Sequence, residues 1–223
     1  MKACVLIPSV NEESTIKNVV TELKRLGCEV LVVDDGSTDN TGKIASENGA
    51  RIIRHAKNMG KGASLKDGFS FLLKNTDCNN VITMDADGQH NPKDIQKFID
   101  HVKNHECDLV IGSRMKKTKN MPPMRFLTNR LMSFLVSLMC GQRIPDTQCG
   151  YRLIKRNVLE KLDLKFDNFE VESEILIKAS RNKFKIDSIP IETIYRGEAS
   201  RINPVIDTFR FLVFLIKILL IRN

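Results

Sequence analysis

The chain has no tryptophan and only two tyrosines among its 223 residues. Few residues are therefore left to stack on bases, and no known nucleic-acid motif is present. Binding to nucleic acid is disfavoured, even though Lys and Arg outnumber Asp and Glu by 35 to 27, for a net charge of +8. The basic balance instead leaves a phosphate-bearing ligand or an anionic membrane face as partners. None of the six cysteines forms a Cys-x-x-Cys pair, which removes a zinc ribbon or a thioredoxin-type centre. Most are expected as small buried hydrophobes in a reducing cytosol. No Gly-x-Gly-x-x-Gly follows the first strand, so a dinucleotide oxidoreductase is disfavoured. The first apolar run, Ala3 to Ile7, is too short for a signal peptide. No internal repeat or low-complexity tract is present.

Two motifs are decoys. Gly36 to Lys43 fails as a P-loop, because Ile44 stands where Ser or Thr is needed. Asp85-Ala-Asp87-Gly88-Gln89 fails as a calcium loop, because His90 takes the required glycine position. His101 and His105 lie four apart on a predicted helix, but with no third ligand nearby in sequence a solvated face is the better reading.

Hydrophobic residues make up 42% of the chain, enough for a core. Short β-branched runs at Ala3–Pro8, Glu29–Asp34, Arg51–Arg54, Asn80–Asp85 and Asp108–Gly112 alternate with helical patterns at about 12–26, 39–48, 61–74 and 92–104. This alternation predicts an α/β fold with a mainly parallel central sheet flanked by helices. Asn11 is expected to cap the first helix, Gly27 to stop it, and Pro92 to open the fourth. A basic loop at 115–123 precedes an apolar helix at 124–140. Helices near 155–161 and 169–182, a strand near 186–195 and an apolar amphipathic helix near 204–221 follow. The expected division is a domain at 1–203 and an interfacial helix at 204–223.

Asp34-Asp35 and Asp85-x-Asp87 end strands, where α/β sheets bind ligands. Asp85 and Asp87 fall on one side of an extended chain and suit a single divalent ion with oxygen ligands, Mg2+ or Mn2+. Without a cation, one pKa of such a pair should rise. Gly60 and Gly62 permit close backbone approach, and Lys61 between them can neutralise phosphate.

Taken in order, these motifs resemble the family 2 glycosyltransferases of the GT-A (Rossmann-like) fold. Within that family they are similar to the dolichyl- or polyprenyl-phosphate mannosyltransferases and glucosyltransferases. The matching elements are Ile7-Pro8-Ser9-Val10-Asn11-Glu12, Val33-Asp34-Asp35-Gly36-Ser37, Asn58-x-Gly60-Lys61-Gly62 and Asp85-Ala-Asp87-Gly88-Gln89. Further on they are Gly112-Ser113-Arg114, Asp146-Thr147-Gln148-Cys149-Gly150-Tyr151 and Phe169-Glu170-x-x-Ser173-Glu174. The resemblance implies an inverting enzyme that moves mannose or glucose from a GDP- or UDP-linked donor to a lipid phosphate. Transfer to a sugar hydroxyl is the alternative.

It also implies roles. Pro8, Asn11, Glu12, Asp35 and Gly36 would hold the nucleoside, and Asp85 and Asp87 the metal, with Gln89 beside them. Arg114 would contact a diphosphate or the acceptor phosphate. Ser200 and Arg201 belong to a segment, Tyr195–Arg201, that would close over the site. Glu174 matches the family's carboxylate, which takes a proton when the acceptor is a hydroxyl; an ionised lipid phosphate needs no such base. The run from Phe209 to Ile221 is interrupted by Lys217 and falls short of the ~20 apolar residues of a membrane span. Together with the helix at 126–140 it is expected to lie on the cytoplasmic face of the membrane or on another protein subunit.

Overall fold

The computed structural model describes residues 3–115, 123–192, 194 and 204–220. In chain order the elements are β1 (Cys4–Ser9), α1 (Glu13–Arg25), β2 (Glu29–Asp34), α2 (Thr41–Glu47), β3 (Arg51–Arg54), α3 (Lys61–Asn75) and β4 (Asn80–Thr83). A 3-10 turn (Pro92–Asp94) leads into α4 (Ile95–Asn104), then β5 (Leu109–Ser113), α5 (Pro123–Cys140), β6 (Arg152–Lys155), α6 (Arg156–Leu159), α7 (Val171–Arg181), β7 (Ile186–Pro190) and α8 (Pro204–Leu220). One seven-stranded sheet runs in the order β3-β2-β1-β4-β6-β5-β7. It is parallel except at β6, which lies antiparallel to both β4 and β5.

The expected mainly parallel sheet is therefore present, with one strand the alternation did not predict. β6 is only four residues long and carries Arg152 and Lys155 at its ends. Its Leu153 and Ile154 pair with β4 and β5 at the centre of the core. The Val30–Val33 run of β2 is buried, as a strand covered on both faces requires. Edge strand β3 is partly exposed.

Helix ends follow the expected chemistry except at one place. Gly27 sits at φ 75°, and the Cys28 and Gly27 N–H groups close back on Leu23 and Lys24 carbonyls, which ends α1 in a Schellman motif. Pro92 opens the turn before α4, and Asn91 caps it by accepting from the Lys93 N–H. Asn11, however, does not cap α1. It takes a left-handed conformation, φ 53°, and its side-chain oxygen accepts from the Thr38 N–H, so it ties the β1 loop to the β2 loop.

All six cysteines are buried. Cys4 and Cys78 are joined in a disulfide with Cα atoms 6.1 Å apart, while Cys28, Cys107, Cys140 and Cys149 are free, as expected of most of the six. Burial raises the thiols of Cys140 and Cys149 to about 12. α8 is not a detached appendage. It packs on α5, Phe214 meets Phe166 edge-on, and Phe211, Phe214 and Ile218 are buried. No helix among the described residues is long and apolar enough to cross a membrane.

Candidate active site

β1 is hydrogen-bonded to β2 on one side and β4 on the other, so the strand order reverses beside it. In open α/β sheets the crevice at such a point collects ligand groups. Here a cavity is lined by Pro8 of β1, Thr83 of β4, Met84 and Asp85 after β4, Lys61 of α3, Glu172 of α7, and Gly150 and Arg152. Its open room is about 10 Å³, roughly that of one water.

Lys61 brings its ammonium between two carboxylates of this lining. Its Nζ lies 2.5 Å from Asp85 Oδ1 and 2.6 Å from Glu172 Oε1, and its side chain is 14% exposed. The two carboxylates outweigh burial and hold the ammonium above its ordinary pKa. Burial would raise the Asp85 carboxyl, but Lys61, and then His90, hold it far below the usual range. Asp87 behaves oppositely. Burial and the negative charge of Asp85 both push its carboxyl up, the expected response of crowded carboxylates. Asp87 Oδ1 accepts from the Gln89 N–H at 2.9 Å, and the Gln89 carbonyl in turn accepts from the Ile194 N–H. His90 is buried and stacks on Tyr151 at 5.0 Å; burial lowers its pKa. Its Nδ1 accepts from the Asp85 N–H at 3.4 Å.

The nucleoside-side residues gather at the ends of β1 and β2, but most of their polar atoms serve the fold. Asp35 is buried; Oδ1 accepts from Met59 N–H and Oδ2 from Gly60 N–H, both at 2.8 Å, while His55 lies 2.7 Å from Oδ1. Sequence reasoning overlooked His55, which also reaches Asp67. Gly36, at φ 70°, brings its backbone against Lys57 and Asn58, where a Cβ would sit 2.4 Å from a carbonyl carbon. The Glu12 N–H donates to Thr41 Oγ1 at 2.7 Å.

Gly60 and Gly62 do allow close approach, but what approaches is the chain itself. A Cβ at either position would lie 2.4 Å from the Asp167 or Phe166 carbonyl oxygen. The segment 166–168 thus covers the start of α3, and the Ala63 N–H donates to the Asp167 carbonyl.

Arg114 and Glu174, expected to meet substrate, both have internal partners. Arg114 is 7% exposed. Its Nε and Nη2 donate to the two oxygens of Asp146 at 2.8 and 2.9 Å, and its backbone N–H donates to Asp146 as well. Glu174 is fully buried. It accepts from the Lys165 and Phe166 N–H groups and pairs with Lys178 at 2.9 Å. Glu172 is the α7 carboxylate that lines the cavity. Helical periodicity gives no sign of it, because Val171 through Ala179 are all buried and α7 has no solvent face to orient it. Arg152 was also missed. Its guanidinium donates to the carbonyls of Thr147, Cys149 and Glu172, which ties the 147–150 segment to α7. Ser200 and Arg201 lie outside the described residues, as do 116–122 of the basic loop. His101 pairs with Asp187 of β7 at 2.7 Å and stacks on His105.

Residues 4–163 match the family described as Glycosyl transferase family 2. The chain belongs to that family. This glycosyltransferase is 36% identical over 214 residues to UDP-N-acetylglucosamine–dolichyl-phosphate N-acetylglucosaminyltransferase of Methanococcus voltae, covering 86% of this chain and 85% of that protein. It is 30% identical over 204 residues to polyprenol monophosphomannose synthase of Mycolicibacterium smegmatis, with 85% and 76% covered. Its GT-A fold superposes on glucosyl-3-phosphoglycerate synthase of Mycobacterium tuberculosis, crystallised with Mn2+, uridine diphosphate and phosphoglyceric acid, with a TM-score of 0.75. That match covers 97% of this glycosyltransferase and 78% of the solved chain at 19% identity, a likeness of fold.

Proposed function

We propose that the chain transfers a hexose, mannose or glucose, from a GDP- or UDP-linked donor to a polyprenyl or dolichyl phosphate, with Mn2+ or Mg2+ held by Asp85 and Asp87. One observation carries the reading. Asp85 and Glu172 pair with a single ammonium and Asp87 adds a third carboxylate two residues beyond Asp85, which leaves a charge of about −2, the amount one divalent cation neutralises. Burial, and after it the charge of Asp85, push the Asp87 carboxyl up, in keeping with that excess. Carboxylate oxygens at a strand end, open toward the crevice, are the donor set that Mg2+ or Mn2+ prefers. When bound, the ion would stabilise negative charge on the departing diphosphate.

The chain's own residues divide the remaining work. Pro8, Asn11 and Glu12 border the nucleoside side. Asp35 and Gly36 shape it by holding the turn at Met59 and Gly60. Gln89 keeps the Asp87 loop folded. Arg114, locked by Asp146, adds positive potential near Asp85. Both Glu174 oxygens are engaged inside the fold, by two N–H groups and Lys178, and the side chain is fully buried away from the cavity lining. That favours an acceptor already ionised at neutral pH, a lipid phosphate, over a sugar hydroxyl that needs a base. The relatives named for dolichyl phosphate and polyprenol monophosphomannose point to the same acceptor class.

A membrane surface fits the helices. On α5, Leu127, Leu131, Phe134 and Leu138 are exposed at three- and four-residue spacing; on α8, Leu212, Ile216 and Leu219 are exposed in the same way. Such a stripe suits a helix lying in the interface, with α8 and α5 resting on the cytoplasmic leaflet.

The test is a donor panel of GDP-mannose, UDP-glucose and UDP-N-acetylglucosamine, supplied with Mn2+ and a short polyprenyl phosphate, beside Asp87→Ala. We expect a lipid-linked sugar that requires Mn2+ and disappears in the variant. Turnover unchanged by Asp87→Ala would remove the metal role. Product only with sugar-hydroxyl acceptors would remove the lipid phosphate.

A further inference from the structure

We propose that Lys61 is a tethered counter-ion which occupies Asp85 until a divalent cation displaces it, and that Glu172 is the positioning residue that receives the ammonium. This deepens the reading above and rests on it. Lys61 sits between two carboxylates at nearly equal distance, 2.5 Å from Asp85 and 2.6 Å from Glu172. Only one of these, Asp85, belongs to the Asp-x-Asp pair. An ammonium and a divalent ion on the same carboxylate oxygen would place like charges within a few ångströms, in a crevice with open room for about one water to screen them. One of them has to leave.

The geometry supplies the way out. Lysine is a compact charge on a flexible four-carbon stem, so its head can shift while the backbone stays. Glu172 is fixed on a buried helix and remains a full partner when Asp85 is taken. Gly150 keeps the passage clear: a Cβ there would lie 2.7 Å from Asp85 Oδ2 and 2.9 Å from Lys61 Nζ. Arg152 holds the Glu172 backbone carbonyl and the Cys149 carbonyl together, which fixes the two walls relative to each other. Without nucleotide, then, the lysine suppresses metal binding; with Glu172 present, the suppression is partial and reversible.

A double-mutant cycle on Mn2+ affinity tests this without reference to turnover. Mn2+ binding to nucleotide-free protein is read from the electron paramagnetic resonance signal of free Mn2+, for the intact chain, Lys61→Met, Glu172→Gln and the double variant, with circular dichroism to confirm folding. Lys61→Met is expected to tighten Mn2+ by about tenfold, and Glu172→Gln to weaken it by about tenfold because the ammonium then has only Asp85. In the Lys61→Met background, Glu172→Gln should have almost no effect, since Glu172 acts through the lysine. Additive shifts would mean that both residues act only through their charge, and would overturn the exchange. If Lys61→Met does not fold, an unchanged or tightened affinity in Glu172→Gln overturns it alone. Absence of any Asp87-dependent Mn2+ binding, even with uridine or guanosine diphosphate added, would instead sink the metal reading above. Intact Asp87-dependent binding with additive shifts leaves that reading standing and rejects only the exchange.

Discussion

Two buried ion clusters lie along the same edge of the sheet, and they are built in opposite ways. Arg114 and Asp146 form a closed pair: both Asp146 oxygens are engaged, by three donors from Arg114 and one from the Asn129 amide. One positive charge meets one negative charge, and every lone pair facing it is used. Lys61, Asp85, Asp87 and Glu172 form an open cluster, in which one ammonium pairs with Asp85 and Glu172 while burial and the charge of Asp85 push Asp87 toward its neutral form. A closed pair stabilises one conformation and carries no net charge to draw a cation. An open one stores an unmet demand for positive charge. On the function proposed above, the ligand belongs to the cluster whose charges do not cancel, although both contain residues the motifs singled out.

Breaking the closed pair should have the largest effect on the fold. Asp146→Ala leaves Arg114 buried and unpaired, and should cost about 3–5 kcal/mol in chemical denaturation. The same pair has an acid signature. Burial alone would raise the Asp146 carboxyl, but hydrogen bonds and charge from Arg114 hold it below the ordinary 3.8. Its contribution is thus fully present above about pH 4 and is lost as pH falls below that value. Asp146→Ala should flatten this acid limb of the stability curve.

The open cluster should break in the other direction. Asp87→Ala is expected to lower turnover about 10²–10³-fold, the scale of one lost transition-state contact. Removing a strained carboxylate should leave the unfolding midpoint equal or higher. A variant that lost stability with activity would place Asp87 with the closed pair.

Glu174→Gln sharpens the contrast within one helix. It weakens the hold on the 165–166 backbone and leaves Lys178 short of a partner, for a loss of about 1–3 kcal/mol. Specific activity of the folded fraction should stay within about twofold, a difference under 0.5 kcal/mol in barrier. A pH-dependent fall in kcat would restore a proton-transfer role to Glu174.

The smallest effect on stability should come from the exposed apolar stripe. Leu131→Ser, Phe134→Ser and Leu138→Ser combined should change unfolding by no more than about 0.5 kcal/mol each, as surface positions do. Flotation with anionic liposomes should fall sharply all the same. Truncation after Asn203 is a poorer test, because it would also strip Phe211 and Phe214 from the core. Equal flotation of the intact chain and the triple variant would end the membrane proposal for this face.

Much of the architecture was legible beforehand. β2 and β3 begin and end where the β-branched runs do, and α3 opens at Lys61 directly after Gly60. These are local effects: a β-branched run prefers a pleated surface, and a left-handed glycine ends or begins a helix whatever lies beyond it. β6 was not legible, because its strand character comes from pairing with β4 and β5, more than forty residues away in the chain.

The site divides along the same line. Asp85, Asp87 and Lys61 follow strand ends and a glycine-flanked turn, so local pattern located them. Which carboxylate of α7 faces the cavity is a different kind of fact. In a helix buried on every side the apolar period carries no direction, and only the packing of α7 against α3 and the 147–150 segment puts Glu172 beside Lys61 and Glu174 beneath the 165–166 backbone. The sequence determined the elements and the acidic strand ends, because backbone preference and charge act over a few residues. Tertiary structure alone decided which charges cancel and which stay open, because that depends on distances between chain segments that share no local pattern.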